Sequence, residues 1–416
     1  MINTSSKNIL FFIIKCMFLF FYVYSLSIEG LPPQISTERV VVFVLAFYRI
    51  FFELKSNHEK KIKTIADHYF DYFVFFQLFL LLYTIILFVF VGRGSGDLIL
   101  NSIINFLCFG VLAYWGFSFL FKSFHEFLTA LLVISIFQSI VVLFGMLSPK
   151  FVQLLYRYNG NRSFWNYEVM ANGGYHVGLA CITSTGALKL SLGYIPCVYD
   201  LITRKKHFLP IVIFFILLTF SATAVARTGL FISFVALFFI FFFKARNNGF
   251  RKFYIFLVFS LLLSAGIWVI RYFGLSSQLI VQFSRLNSLI EKGSQSFFDA
   301  YFWGDTTVIP RISWKTILGT GIVSGTSGNG VTINADGGFI KTYCALGLPM
   351  AILYYGFILY LLLKMTLKDK LKEVKWVSIF MIIVLIMGEF KEFFFYMRFY
   401  LVCFFIFQKS AEDRNT

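Results

Sequence analysis

Long apolar runs, separated by short polar segments, dominate the hydrophobicity pattern of this chain. A helix that crosses a membrane needs about 20 mostly apolar residues, and shorter runs suffice where neighbouring helices bury the ends. The pattern therefore predicts about twelve membrane-spanning helices. The predicted spans are residues 9–27, 40–54, 70–91, 98–120, 126–147, 173–198, 208–224, 228–243, 253–270, 338–363, 375–388 and 394–408.

The overall composition leads to the same fold class. The chain is 59% hydrophobic and 14% charged, with a mean hydropathy of +0.79, which lies outside the range of water-soluble globular domains. We therefore expect an all-α integral membrane protein embedded in a lipid bilayer. Three parts are expected: residues 1–270 with nine helices and an outer loop at 148–172, a large outer loop at 271–337, and residues 338–416 with three helices and a tail.

Lysine and arginine in short loops predict the orientation, because an excess of these residues marks the cytoplasmic side. Alternate loops carry the runs at 55–63, 204–206, 244–252 and 364–375, so both termini are predicted to be cytoplasmic. This topology puts 16 lysines and 4 arginines inside, but 5 lysines and 9 arginines outside. Arginine binds phosphate or carboxylate through a planar fork, so the outer excess favours an anionic ligand.

Two outer segments are too long to be turns. The first, residues 148–174, contains Arg157 and Arg162 among tyrosines, a phenylalanine and a tryptophan, which suits either a sugar phosphate or an interfacial aromatic belt. The second, residues 271–337, contains Arg311 and ends in the run "LGTGIVSGTSGNGVTINADGG". Because Gly-Lys-Ser/Thr is missing, that run is not a nucleotide-binding loop, and a flexible lid or a cradle of backbone amides fits better.

Arg227 is the one charge in "FSATAVARTGLF", residues 220–231, which joins two apolar runs with almost no loop. Its side chain could reach lipid phosphates as a membrane anchor. Alternatively, it lies at the depth of a lipid-linked pyrophosphate.

Three outer carboxylates are candidates for chemistry. Asp336 precedes the tenth predicted span, where it is either a helix cap or a catalytic base. Glu389 and Glu392 lie between the last two spans, near Lys391 and Arg398, where local ion pairing is the alternative. The six cysteines form no CxxC pair and no Cys/His cluster with metal spacing, so no metal site and no cofactor is expected.

The layout of spans, the "SATAVARTGLF" turn, the late outer loop, the "LGTG" to "DGGF" run and the segment "ALGLPMAILYY" resemble the O-antigen polymerases and the related O-antigen ligases. The resemblance implies a metal-independent glycosyltransferase of the bacterial inner membrane that faces the periplasm. Its substrate would be an undecaprenyl pyrophosphate-linked oligosaccharide. A flippase and a chain-length regulator are implied as further partners, and no nucleic acid is.

A polymerase of this kind transfers the growing glycan from one polyprenyl pyrophosphate to a sugar hydroxyl of the next lipid-linked repeat unit. Arg227 matches the arginine of the family's "SRTG"-like turn. Such a reaction needs cations for the departing pyrophosphate and a base for the acceptor hydroxyl. We assign the first role to Arg227, Arg162 and Arg311, with Arg157 and Arg398 as further candidates, and the second to Asp336, Glu389 or Glu392.

Two other functions stay open. An O-antigen ligase would use the same donor, but ligase-like relatives carry a histidine where this chain has Asp336. A flippase for lipid-linked oligosaccharide would need ionisable residues near the membrane midplane. Among the basic residues, the predicted topology assigns Lys15, Arg49 and Lys189 to the interior of spans, which is few for such a substrate path.

Overall fold

The structure is a computed structural model that describes most of the predicted helical segments. The described residues are 6–26, 36–55, 64–91, 106–148, 151, 184–203, 208–244, 314–322, 325–326, 332–333, 337–390 and 397–413. They are almost entirely helical, in agreement with the predicted all-α class. The sheet among them is one antiparallel pair, in which Gly325 faces Ile333 and Thr326 faces Thr332.

Three of the described helices are long and apolar enough to cross a membrane, as judged by length and composition. They comprise Ile65–Val89, Phe124–Gly145 and Leu348–Lys368, with mean hydropathies of 2.4, 2.5 and 1.7. Four shorter apolar helices lie at Asn8–Tyr24, Leu107–Leu120, Leu209–Val225 and Thr228–Phe242. Large apolar side chains such as Phe75, 69% exposed, point away from the protein interior, as expected for contact with lipid. Membrane association is supported, whereas the count of twelve spans stays a prediction.

The chain divides into two compact units. The first contains Met1–Val23, Ile35–Ala130 and Phe298–Thr416, and the second contains Tyr24–Gln34 and Leu131–Phe297. The predicted ninth span, 253–270, and most of the long outer loop lie outside the described residues. The predicted three-part division of the chain therefore stays a prediction.

The first unit is built mainly from helices of the two ends of the chain. In chain order they are α1 (Ser6–Tyr24), α2 (Thr37–Lys55), α3 (Ile65–Val91), a π-helical turn (Phe106–Gly110) that continues into α4 (Val111–Leu120), and α5 (Phe124–Leu147), which runs on into the second unit. The remaining helices of the second unit are α6 (Ser184–Ser191), α7 (Tyr194–Thr203), α8 (Phe208–Val225) and α9 (Arg227–Lys244). The first unit then resumes with α10 (Trp314–Ile317), the strands β1 (Gly325–Thr326) and β2 (Thr332–Ile333), α11 (Gly338–Leu346), α12 (Leu348–Lys368), α13 (Lys372–Glu389) and α14 (Arg398–Asp413).

Two predicted spans are interrupted in the structure. The continuous span predicted at 338–363 is wrong, because Gly347 adopts a φ of 83° and separates α11 from α12. The span predicted at 173–198 is also broken, between α6 and α7, and its second helix continues to Thr203. Hydropathy does not register these breaks, since the residues around each of them are as apolar as a helix interior.

One end of the first unit, which we call the Asp67 end, joins the start of α3 to the end of α14. Lys409 Nζ lies 2.7 Å from Asp67 Oδ1, and the Tyr114 hydroxyl donates to the same oxygen at 2.7 Å. The Glu412 carboxylate accepts hydrogen bonds from the backbone N–H groups of Ile65 and Ala66, at 2.7 and 3.1 Å. A carboxylate from the last helix thus satisfies two backbone donors that the first turn of α3 leaves open.

Asp369 follows α12 and provides a pH-dependent contribution to stability. Burial raises the pKa of its carboxyl to about 7, while a hydrogen bond from Gln408 and the charge of Lys375 act to lower it and the charge of Glu412 acts to raise it. The folded pKa exceeds the value of 3.8 in the unfolded chain, so the unfolded chain loses this proton first as pH rises. The stabilisation is complete below pH 3.8 and is lost as pH rises to about 7.

We expect the detergent-solubilised protein to lose about 2 kcal/mol of stability from this group between pH 5 and pH 8, after allowance for solvent screening. The variant Asp369→Asn keeps the shape and cannot ionise, so it should lack this part of the loss and be the more stable protein at pH 8. Thermal unfolding of both proteins at the two pH values measures the difference. Equal losses in both proteins would contradict the prediction.

Candidate functional site

Only some of the candidate residues of the predicted site lie in the part of the chain that the structure describes. Glu389 and Arg398 are described in full, and Arg227 is described as the residue at which α9 begins. The other candidates lie outside the described residues: Asp336, Glu392, Arg157, Arg162 and Arg311. The N-cap position of α11 is Gly337, which has no side chain to cap the helix, and the capping and catalytic roles considered for Asp336 both stay predictions.

The turn that carries Arg227 is as short as the sequence suggested. Helix α8 ends at Val225 and α9 begins at Arg227, so that Ala226 alone separates them. The Ala226 N–H donates to the Ala222 carbonyl at 3.0 Å, and the Gly229 N–H donates to the Ala226 carbonyl at 2.9 Å. The backbone around Arg227 is therefore held by hydrogen bonds from both helices.

Close packing between α8 and α9 also fixes this turn. A Cβ atom on Gly229 would lie 2.2 Å from the Ala222 carbonyl oxygen, so only glycine permits the two helices to approach this closely. Thr228 is buried next to it. The turn is part of a buried cluster of apolar side chains in the second unit. Its members are Val142, Ala187, Leu190, Ala222, Ala224, Val225 and Ala226.

Glu389 lies at the other end of the first unit, which we call the Glu389 end, where α13 ends and α11 begins. Its side chain is 2% exposed, and its Oε1 accepts from the Tyr355 hydroxyl at 2.5 Å and from Thr342 Oγ1 at 3.4 Å. The Tyr355 hydroxyl also lies 2.7 Å from Thr342 Oγ1. One carboxylate oxygen and two hydroxyl groups therefore connect α11, α12 and α13.

Aromatic rings surround these hydrogen bonds. The Phe339 ring lies 4.8 Å from the Tyr355 ring and 4.8 Å from the Phe390 ring, between centroids. Phe339, Tyr355 and Phe390 are each partly exposed, whereas Glu389 is buried. The carboxylate itself is buried, and low local polarity strengthens the hydrogen bonds that it accepts.

Arg398 forms an ion pair at the same end of the unit. Its Nε lies 2.7 Å from Glu38 Oε1, and its Nη2 lies 2.8 Å from Glu38 Oε2. This two-point contact joins the start of α14 to the start of α2 and uses the planar fork of the guanidinium. Binding of pyrophosphate by Arg398 would require this ion pair to open.

We expect the ion pair between Glu38 and Arg398 to contribute to the stability of the protein. Glu38 and Arg398 have side-chain exposures of 9% and 16%, so removing either partner leaves a poorly solvated charge. We expect Glu38→Ala and Arg398→Ala each to lower the free energy of unfolding by about 2–3 kcal/mol. The double variant should lose much less than the sum of the two losses, and chemical unfolding of all three in detergent measures this.

A matched control is Arg39→Ala, since Arg39 is adjacent in the chain and lies over the Phe109 ring at 5.2 Å. It should cost about 1 kcal/mol or less. Additive losses in the Glu38 and Arg398 double variant would mean that the ion pair contributes nothing to stability.

The glycine-rich run is docked where it is described. The Thr320 and Gly321 N–H groups donate to the Cys344 and Ala345 carbonyls, at 2.8 and 3.0 Å. The Tyr83 hydroxyl lies 2.9 Å from the Leu318 carbonyl and 3.0 Å from the Leu346 carbonyl. The amides of Thr320 and Gly321 cap the end of α11, so these two do not belong to an open amide cradle. For the rest of the run, the cradle and the flexible lid both stay predictions.

Sequence reasoning missed Tyr355, Thr342 and Tyr83. The first two are 34 and 47 residues from Glu389 along the chain, and the hydroxyl groups occur among apolar residues without any motif.

Within the part of the chain that the structure describes, no three His, Cys, Asp or Glu side chains come together as a metal site would require. The chain matches no family model, no curated protein and no solved structure.

Proposed function

We propose that this chain is an O-antigen polymerase, a glycosyltransferase that extends a polysaccharide on undecaprenyl pyrophosphate. The observation that carries the proposal is the position of Arg227, which begins α9 one residue after α8 ends. Both helices are among the shorter apolar helices of the structure, Leu209–Val225 and Thr228–Phe242. An arginine whose backbone is fixed at such a junction suits a phosphate group at the membrane surface, because its guanidinium can donate two parallel hydrogen bonds.

The chemistry of the reaction explains the choice of the other residues. Polyprenyl pyrophosphate is an activated leaving group, so the C–O bond between sugar and pyrophosphate breaks as the acceptor hydroxyl attacks. Cations stabilise the departing negative charge, and a base accepts the proton of the hydroxyl. Arg227, Arg162 and Arg311 are proposed for the pyrophosphate, and Arg157 is a further candidate.

The base is proposed among Asp336, Glu389 and Glu392. Glu389 is the one with described surroundings, and two hydroxyl groups hold its Oε1. Hydrogen bonds to the ionised form favour an ionised carboxylate, which is the form that a base requires. Arg398 is the weakest of the arginine candidates, since Glu38 already engages its fork.

A flippase is less well supported. Lys15 and Arg49, two of the three cations assigned to span interiors, are each held by a carboxylate: Lys15 Nζ lies 2.7 Å from Glu126 Oε1, and Arg49 Nε lies 2.7 Å from Glu53 Oε1. These two cations are already neutralised by a carboxylate, so neither offers an open charge to an anionic substrate. The active site is proposed to face the periplasm from the inner membrane, with both termini cytoplasmic.

Deletion of the gene tests the proposal through the banding pattern of the lipopolysaccharide. Loss of a polymerase should leave a lipid A core that carries a single repeat unit. The wild-type gene on a plasmid should restore long chains. Loss of a flippase or of a ligase should leave bare core. Bare core in the deletion strain would therefore exclude the polymerase assignment.

A further inference from the structure

The Glu389 carboxylate is anchored by two residues that no motif marks. Tyr355 is on α12 and Thr342 is on α11, and both hydroxyl groups reach Glu389 Oε1, at 2.5 and 3.4 Å. The two hydroxyl groups are themselves 2.7 Å apart. Three helices thus meet at one oxygen of this carboxylate.

We propose that Tyr355 and Thr342 are positioning residues that hold the Glu389 carboxylate ionised and correctly oriented for polysaccharide extension. This inference depends on the proposed function. A carboxylate with 2% exposure loses most of its solvation, and only strong donors can keep it charged. Tyr355 is the nearer of the two donors, and its hydroxyl also lies 2.7 Å from Thr342 Oγ1.

A purely structural latch is the alternative, and the two roles differ in what they change. A latch that only joins helices would affect the amount and the thermal stability of the protein. A positioning role additionally affects the rate constant and its pH dependence, because a carboxylate that loses a hydroxyl donor takes up a proton at higher pH.

The test uses membranes that contain the full-length protein and lipid-linked repeat units from the deletion strain as substrate. Tyr355→Phe keeps the ring and removes the hydroxyl. We expect kcat to fall by about 10- to 100-fold with KM nearly unchanged, and the acidic limb of the pH–rate profile to move up by about one unit. Tyr360→Phe is the matched control, since Tyr360 is an exposed tyrosine of the same helix, and it should behave as wild type.

A second pair of variants, both at Thr342, keeps the test decisive if Tyr355→Phe is poorly produced. Thr342→Val removes the hydroxyl and keeps the shape, whereas Thr342→Ser keeps the hydroxyl. We expect Thr342→Val to slow extension and to shift the pH profile in the same direction, and Thr342→Ser to restore both.

Two outcomes overturn the inference in distinguishable ways. Wild-type extension with an unshifted pH profile in Tyr355→Phe and in Thr342→Val would leave the polymerase assignment standing and reduce the hydroxyl groups to a latch. Absence of extension by the wild-type protein would reject the proposed function and the positioning role together.

Discussion

Replacing Arg227 with alanine is expected to abolish chain extension. Under the proposed function, the guanidinium faces the negative charge that develops on the departing pyrophosphate. Removing one preorganised charge of this kind lowers a rate by about 100- to 1000-fold. The effect should appear in kcat, because the charge grows in the transition state. Extension of lipid-linked repeat units by membranes with equal amounts of each protein measures it.

The choice of alanine keeps the turn intact. Alanine is a good helix former, and the hydrogen bonds of Ala226 and Gly229 that hold the junction involve backbone groups alone. Thermal unfolding should therefore change little. The loss of rate can then be attributed to the missing guanidinium rather than to a disrupted helix.

Two further variants test the role of the guanidinium. Arg227→Lys keeps the charge and loses the planar fork, so it should recover little activity if the fork binds pyrophosphate. Arg39→Ala removes an arginine that lies over the Phe109 ring and should extend chains normally. Full-length chains from Arg227→Ala would mean that this residue only anchors the turn to lipid phosphates.

Gly347→Ala is expected to lower the free energy of unfolding by about 2–5 kcal/mol. Gly347 has a φ of 83°, where a side chain costs about 1–2 kcal/mol. A Cβ atom there would lie 2.2 Å from the Ile317 carbonyl oxygen and 2.6 Å from the Leu318 carbonyl carbon. These are backbone atoms, which cannot rotate away as a side chain can, so the overlap adds about 1–3 kcal/mol or more.

The same helix offers a matched control. Gly356 lies in the interior of α12, and a Cβ atom there would meet nothing within 4 Å. Gly356→Ala should therefore leave stability unchanged or raise it by up to about 1 kcal/mol. Thermal unfolding of both variants in detergent compares them. If Gly347→Ala unfolds at the wild-type temperature, the close approach of α10 to the α11–α12 break does not exist.

The agreement between predicted and observed helices follows from a local cause. The span predicted at 40–54 corresponds to Thr37–Lys55, and the span predicted at 126–147 corresponds to Phe124–Leu147. Each position in an apolar run contributes its own transfer free energy, so the run can be recognised without knowledge of its neighbours. The prediction failed at Gly347, because that helix break depends on Gly319 and Tyr83, which come from other parts of the chain.

In the candidate site too, the sequence predicted some features and missed others. The short "SATAVARTGLF" turn was predictable, since one charge between two apolar runs marks a helix junction. The partners of the charged groups were not. Local ion pairing was one of two interpretations of Arg398, yet the partner that the structure shows is Glu38, 360 residues away along the chain.

By itself, the sequence determined that this chain is helical, that its helices are apolar enough for a membrane, and that Arg227 stands at a junction between two of them. Only the tertiary structure decided that Glu38 engages Arg398, that Tyr355 and Thr342 hold Glu389, and that Gly347 separates α11 from α12. The physical reason is that burial of an apolar run depends on its own residues. A hydrogen bond or a close backbone contact instead depends on which distant helix packs against it.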